Sequence, residues 1–133
     1  MINLRVILAD DQKDVRSGLR ILLEQEMNLC IEGEAAELGS LISQVREKAP
    51  DLVLLDWELS NMKMADFIPL LKLLKPDLKI IALSSRPEAA KSAITAGVDA
   101  FVSKGDHPEK LLDTIRVIGK RRGVTGDVGT NGL

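Results

Sequence analysis

Four apolar runs of this chain end on polar residues that could act together. V6-I-L-A-D-D-Q12 delivers Asp10 and Asp11, L54-L-D56 delivers Asp56, L83-S84 delivers Ser84, and F101-V-S-K104 delivers Lys104. Carboxylates gathered within a few ångströms repel one another, and such a cluster persists only if a cation neutralises it or some protons stay bound. A hard divalent ion is the natural partner. Mg2+ prefers oxygen ligands at about 2.0–2.1 Å and keeps several waters, so one or two carboxylates and a phosphate oxygen complete its shell. A lysine ammonium and a serine hydroxyl beside it would hold phosphate oxygens. These residue types suit phosphoryl transfer, and an aspartate can itself accept the group as an acyl phosphate. Asp56, central among them, is assigned as that acceptor.

That chemistry requires elements that bring the residues together. Apolar runs at 4–9, 29–35, 52–55, 78–84 and 100–103 read as strands. Between the first two, Val15, Leu19, Leu22 and Leu23 repeat at helical spacing, and Leu38, Leu41, Ile42 and Val45 do so before Pro50, which cannot continue a helix. Phe67, Leu70, Leu71 and Leu74 form the next helix, ended by Pro76; Ala90, Ala93 and Ile94 follow, ended by Gly97. Leu111, Leu112, Ile115 and Ile118 mark a last helix after His107-Pro108. Strands that are continuously apolar, rather than alternating, are expected when helices cover both faces of a parallel sheet. The pattern therefore predicts an α/β fold with a doubly wound five-stranded parallel sheet. Every candidate residue then falls at the carboxyl end of a strand, the edge at which open parallel sheets bind ligands. Right-handed crossovers bring strands one, three, four and five together there.

Composition narrows the function classes. A chain of 133 residues with 45% hydrophobic and 29% charged residues and a net charge of -2 reads as one soluble domain, with no general attraction for nucleic acid or an anionic membrane. No apolar run approaches the roughly 20 residues needed to span a bilayer, and no signal peptide opens the chain, so a cytoplasmic location is expected. Cys30, the single cysteine, reads as inert packing in a reducing compartment. His107, the single histidine, excludes clustered-histidine metal sites and reads as a loop residue. Glycines at 123, 126, 129 and 132 predict a flexible tail or linker over 121–133, which leaves 1–120 as the folded domain.

With these residues in place, the chain resembles the receiver domain of two-component response regulators, through Asp10-Asp11, L54-L-D56, L83-S84 and F101-V-S-K104 in that order, over about residues 3–120. The phrasing D56-W-E-L and F101-V-S-K-G is most similar to receivers attached to helix-turn-helix output domains, and no output domain is expected within this sequence. The resemblance implies a flavodoxin-like (βα)5 fold with strand order 2-1-3-4-5. It implies that Asp56 accepts phosphate from a phosphohistidine on a sensor histidine kinase. Asp11, Asp56 and the backbone carbonyl of Glu58 would hold Mg2+, with Asp10 contributing through water. Ser84 and Lys104 would contact the phosphoryl oxygens, and Phe101 would be the aromatic switch that turns inward when Ser84 moves. A homodimer or an output protein would dock through the helix 4 to helix 5 face, as a route to transcription regulation, with no nucleic acid or membrane bound directly. A receiver of this kind is no enzyme in its own right, although it assists its own phosphorylation and dephosphorylation.

The sequence departs from the family pattern in two places. L59-S-N-M-K-M-A-D66 replaces the usual methionine-proline pair and glycine after the acceptor, and Gly105 replaces the proline that usually follows Lys104. The interval from Ser84 to Lys104 is also shorter than in many receivers, so helix four or its entry loop should be short. Glu58 and Arg86, each two residues beyond a site residue, could pair across the phosphate and screen the attacking water; as exposed charges alone they would be worth little. Trp57 is expected to pack against a neighbouring loop, while Ile68 and Leu73 would cover a loop or mark an association surface. Taken singly, the aspartates could be turn or N-cap residues, Ser84 a strand end, Lys104 a solvated charge and Phe101 a half-buried strand residue. Their joint placement favours the site. A degenerate receiver acting as a phosphorylation-independent interaction module is the alternative, kept open by the altered loop. A small phosphatase or phosphotransferase is a third reading, disfavoured because there is no room for a cap domain.

Overall fold

The computed structural model describes residues 3–61 and 63–131, with side chains described as far as Lys120. Strands β1 (Leu4–Ala9), β2 (Leu29–Ala35), β3 (Leu52–Asp56), β4 (Lys79–Ser84) and β5 (Ala100–Ser103) alternate with helices α1 (Lys13–Leu23), α2 (Leu38–Lys48), α3 (Phe67–Leu74), α4 (Ala90–Ala96) and α5 (Pro108–Asn131). The strands form one parallel sheet in the order β2-β1-β3-β4-β5. This is the doubly wound, flavodoxin-like arrangement, and its strand order reverses between β1 and β3.

The alternation of side chains along each strand sorts the apolar residues into two cores. Ile7, Val53, Leu55, Ile80 and Ala82 face one side, where Leu41 and Val45 of α2, Ile68 and Leu71 of α3 and Ala93 of α4 cover them. Val6, Leu8, Leu52, Leu54, Ile81 and Leu83 face the other, under Leu23 of α1 and Leu111, Leu112, Ile115 and Ile118 of α5. Every residue of β3 is buried, whereas β2, at the sheet edge, is half-buried along most of its length. That difference explains why the inner strands lack a polar face.

Helix ends follow local chemistry. α2 closes on Ala49, whose φ of 46° is left-handed, just before Pro50. α4 closes on Gly97, where φ is 112° and a side chain would be strained. α4 is short, with seven residues after a single 3-10 turn at Pro87–Ala89, as the contracted interval after Ser84 predicts.

The structure adjusts several boundaries. β3 extends to Asp56, because Asp56 still pairs in register with Leu83. β4 starts at Lys79, because the N–H of Leu78 donates to the Lys75 carbonyl in a turn. Ile68 covers no exposed surface: it is buried in the core, with its Cγ2 beside Gly97, while Leu73 is 77% exposed. The backbone of α5 continues as helix to Asn131, past residue 120, where the glycine-rich composition predicts a flexible tail; the side chains of 121–133 lie outside the described residues. Isolated glycines weaken a helix by about 1 kcal/mol each but, unlike proline, do not forbid it. No helix among the described residues is long and apolar enough to cross a membrane.

Candidate functional site

Asp10 follows β1, Asp56 ends β3, Ser84 ends β4 and Lys104 follows β5, all at the carboxyl edge beside the strand-order reversal. Asp10, Asp56 and Ser84 are buried, and Asp11 is exposed. One carboxylate oxygen from each of Asp10, Asp11 and Asp56 lies within 4.8 Å of the others. The Lys104 ammonium donates to Asp10 Oδ2 at 2.9 Å and to Asp56 Oδ1 at 3.3 Å. Backbone groups fix the remaining geometry: the N–H of Glu58 donates to Asp56 Oδ1 at 3.0 Å, and the N–H of Gln12 to Asp10 Oδ1 at 2.9 Å.

These surroundings set the protonation behaviour. Burial pushes the Asp56 carboxyl above the usual carboxylate range, and the Asp10 charge adds to that; the Glu58 N–H and Lys104 pull against it. Burial works to lower the Lys104 pKa, but the hydrogen bond to Asp10 and the charge of Asp56 outweigh it, so the net shift is upward. The ammonium therefore stays charged. Its single positive charge faces three carboxylates, a donor set of oxygens alone, and this fits a hard divalent cation such as Mg2+.

The flanking residues divide into two groups. The Ser84 hydroxyl donates to Glu58 Oε2 at 2.8 Å and accepts from the N–H of Arg86 at 3.0 Å, and Arg86 Nη2 reaches the same Glu58 oxygen at 3.3 Å. The Ser84 hydroxyl is thus tied to the Glu58–Arg86 pair rather than to the Asp56 carboxylate or the Lys104 ammonium. Trp57 is buried in the core with Leu59 and Met64 of the following loop, and its backbone N–H donates to the Leu83 carbonyl at 2.7 Å. Phe101 is half-buried against that same core. His107 is exposed, and Cys30 is half-buried beside Glu32.

Sequence reasoning missed Arg16. Its Nη1 donates to the Asp10 carbonyl at 2.6 Å and its Nε to Glu34 Oε1 at 2.8 Å. Nothing in the spacing of α1 marks a side chain that turns back onto the preceding loop.

A flavodoxin-like sheet with an oxygen-only acidic cluster and a lysine at its carboxyl edge defines an α/β module whose carboxylates could hold a cation beside a buried aspartate. More specifically, the chain belongs to the response regulator receiver domain family, whose model matches residues 6–116. It is 30% identical over 115 residues to the transcriptional regulatory protein YxjL of Bacillus subtilis, covering 85% of this chain and 53% of that protein. It is 33% identical over 118 residues to YhcZ of the same organism, covering 87% and 55%. Among solved structures, a LuxR-family response regulator from Aurantimonas is similar with a TM-score of 0.81 at 27% identity, covering 87% of this chain and 84% of that one. The isolated receiver domain of RcsB from Salmonella enterica, solved with the phosphomimetic BeF3-, gives 0.80 at 25% identity, with 89% of each chain covered. The chain spans about half the length of the curated relatives it matches. It is a receiver domain of two-component signalling; such domains interact with histidine kinases, typically bind Mg2+ at an acidic pocket and are generally not enzymes.

Proposed function

We propose that this domain is a phosphorylation-controlled switch in which Asp56 accepts a phosphoryl group from a phosphohistidine of a sensor histidine kinase. The observation that carries this reading is the buried Asp56 carboxylate held between the Glu58 N–H and Lys104, with Asp10 and Asp11 converging on it. An Asp56 oxygen attacks phosphorus, the N–P bond of the donor breaks, and the histidine nitrogen keeps the electron pair and takes up a proton. Lys104 offsets the charge that develops on the transferred group, and the Glu58 N–H orients the nucleophile. Asp11, Asp56 and the Glu58 carbonyl would hold Mg2+, with Asp10 acting through water; the ion supplies charge neutralisation to the phosphoryl oxygens.

Ser84 would leave Glu58 to hold a phosphoryl oxygen, and Phe101 would follow it inward. The Glu58–Arg86 pair would then screen the water that attacks the acyl phosphate, so that the same site governs its own dephosphorylation. Residues 1–120 form the receiver and 121–133 a tail or linker to an output domain or partner. The switched surface is the α4 to α5 face, which would bind a second copy or an output protein and so regulate transcription, in the cytoplasm and without direct contact of this domain with nucleic acid. The commitment of the Ser84 hydroxyl to Glu58 favours one other reading, a receiver that binds partners without phosphorylation.

Acetyl phosphate with Mg2+ separates the two. The switch reading expects the intact mass to rise by one phosphoryl group, with a matching change in Trp57 fluorescence, and expects Asp56→Asn to abolish both. An unmodified mass and an unchanged signal in the parent would leave only the interaction module.

A further inference from the structure

The β1–α1 turn that carries Asp10 and Asp11 is gripped from a strand that contributes no residue to the site. The Asp10 N–H donates to the Ala35 carbonyl at the end of β2 at 3.0 Å. Its own carbonyl accepts from Arg16 Nη1 at 2.6 Å. Arg16 is aimed by Glu34 of β2, which takes its Nε on Oε1 at 2.8 Å and holds Arg20 Nε on Oε2 at 3.0 Å. The Arg16 side chain is only 15% exposed, so its planar fork joins two fixed acceptors rather than sweeping through solvent. Lys104 and the Gln12 N–H occupy the two carboxylate oxygens of Asp10, which leaves Arg16 as the side chain that fixes its main chain.

We propose that Arg16, aimed by Glu34, is a positioning residue for metal binding: it sets the β1–α1 turn, and with it the placement of the Asp10 and Asp11 carboxylates relative to Asp56. The inference rests on the Mg2+ reading above. Positioning and simple charge predict opposite signs. Arg16 is a cation near a cation site, so if it acted only through its charge, its removal would tighten Mg2+ binding by relieving repulsion. If it acts by holding the turn, its removal loosens the carboxylates and weakens binding, as loss of partners that orient metal ligands generally does.

Calorimetric titration of the folded domain with MgCl2, at a temperature well below its melting transition, reads the sign directly. Arg16→Ala should bind Mg2+ about tenfold more weakly than the parent. Arg20→Ala, which touches Glu34 but not Asp10, should keep the parent affinity. Equal or tighter binding by Arg16→Ala, or an equal loss in Arg20→Ala, overturns the proposal. If Arg16→Ala does not fold, Arg16→Lys decides the matter, since it keeps the charge at residue 16 but loses the aimed fork; weaker binding supports positioning and unchanged binding overturns it. Asp11→Asn tests the underlying reading alone. Should it bind Mg2+ as well as the parent, or should the parent not bind at all, the metal assignment fails and takes the inference with it.

Discussion

At the scale of single residues, Asp56 is a liability to the fold that the site requires. Its carboxyl is 4% exposed, and burial raises its pKa above the ordinary 3.8. The folded state therefore binds the proton more tightly than the unfolded chain does. The stability this contributes is fully present below pH 3.8 and is lost as pH rises through the folded value. At neutral pH and without divalent metal, Asp56→Asn should therefore raise Tm by a few degrees, the scale on which about 1 kcal/mol moves a domain of this size. Melts in chelator from pH 3 to 8 should show the two proteins converging at the acid end; a gap that is constant across that range would mean that titration of Asp56 is not its cause. Adding Mg2+ should reverse the order, because only the aspartate supplies a charged ligand.

At the scale of elements, the exposed edge of β2 is covered by side chains of α2. Gln44 Nε2 donates to the Glu34 carbonyl at 2.7 Å and Lys48 Nζ to the Glu32 carbonyl at 2.9 Å, across Gly33. A Cβ at residue 33 would lie 2.1 Å from Gln44 Oε1 and 2.9 Å from Lys48 Nζ, so both side chains would have to swing away. Gly33→Ala should cost about 1–2 kcal/mol in urea unfolding, the worth of the two displaced hydrogen bonds. A neutral result would show that the two carbonyls are equally well served by water. The same edge explains what could be read in the sequence. The inner strands were legible because burial on both faces leaves continuous apolar runs, and the polar residues at their ends are marked by the abrupt change of type at Asp10, Asp56 and Lys104. The end of β3 was not, since an aspartate that continues the ladder looks like one that begins a turn. Ile68 was misread because α3 is apolar on more than one side, and which side is covered depends on packing against residues distant in sequence. Arg16 was invisible because its partners are the backbone carbonyl of a preceding loop and a glutamate on another strand. Polar contacts of that kind leave no periodicity.

At the scale of the whole molecule, the acidic cluster joins parts of the chain that are far apart. The contact of Lys104 with Asp10 links the loop after β5 to the end of β1, and Asp56 lies between them on β3, where the cores under α1 and α5 and under α2, α3 and α4 meet. A cation bound there holds both cores through the central strands. Any ligand that binds the folded state alone stabilises it by RT ln(1 + [L]/Kd), about 2.7 kcal/mol at a hundredfold excess over Kd. Saturating Mg2+ should therefore shift a single cooperative transition upward, with amides of β1, β3 and β5 gaining exchange protection together, instead of tightening one loop. Asp11→Asn supplies the control. Asp11 is exposed, so its replacement opens no core and relieves repulsion within the cluster, and the metal-free Tm should hold or rise slightly. Its Mg2+-dependent shift should nevertheless be largely lost. Protection confined to the β1–α1 turn in the parent, with the global transition unmoved, would show that the ion orders a loop and does not couple the two faces of the sheet.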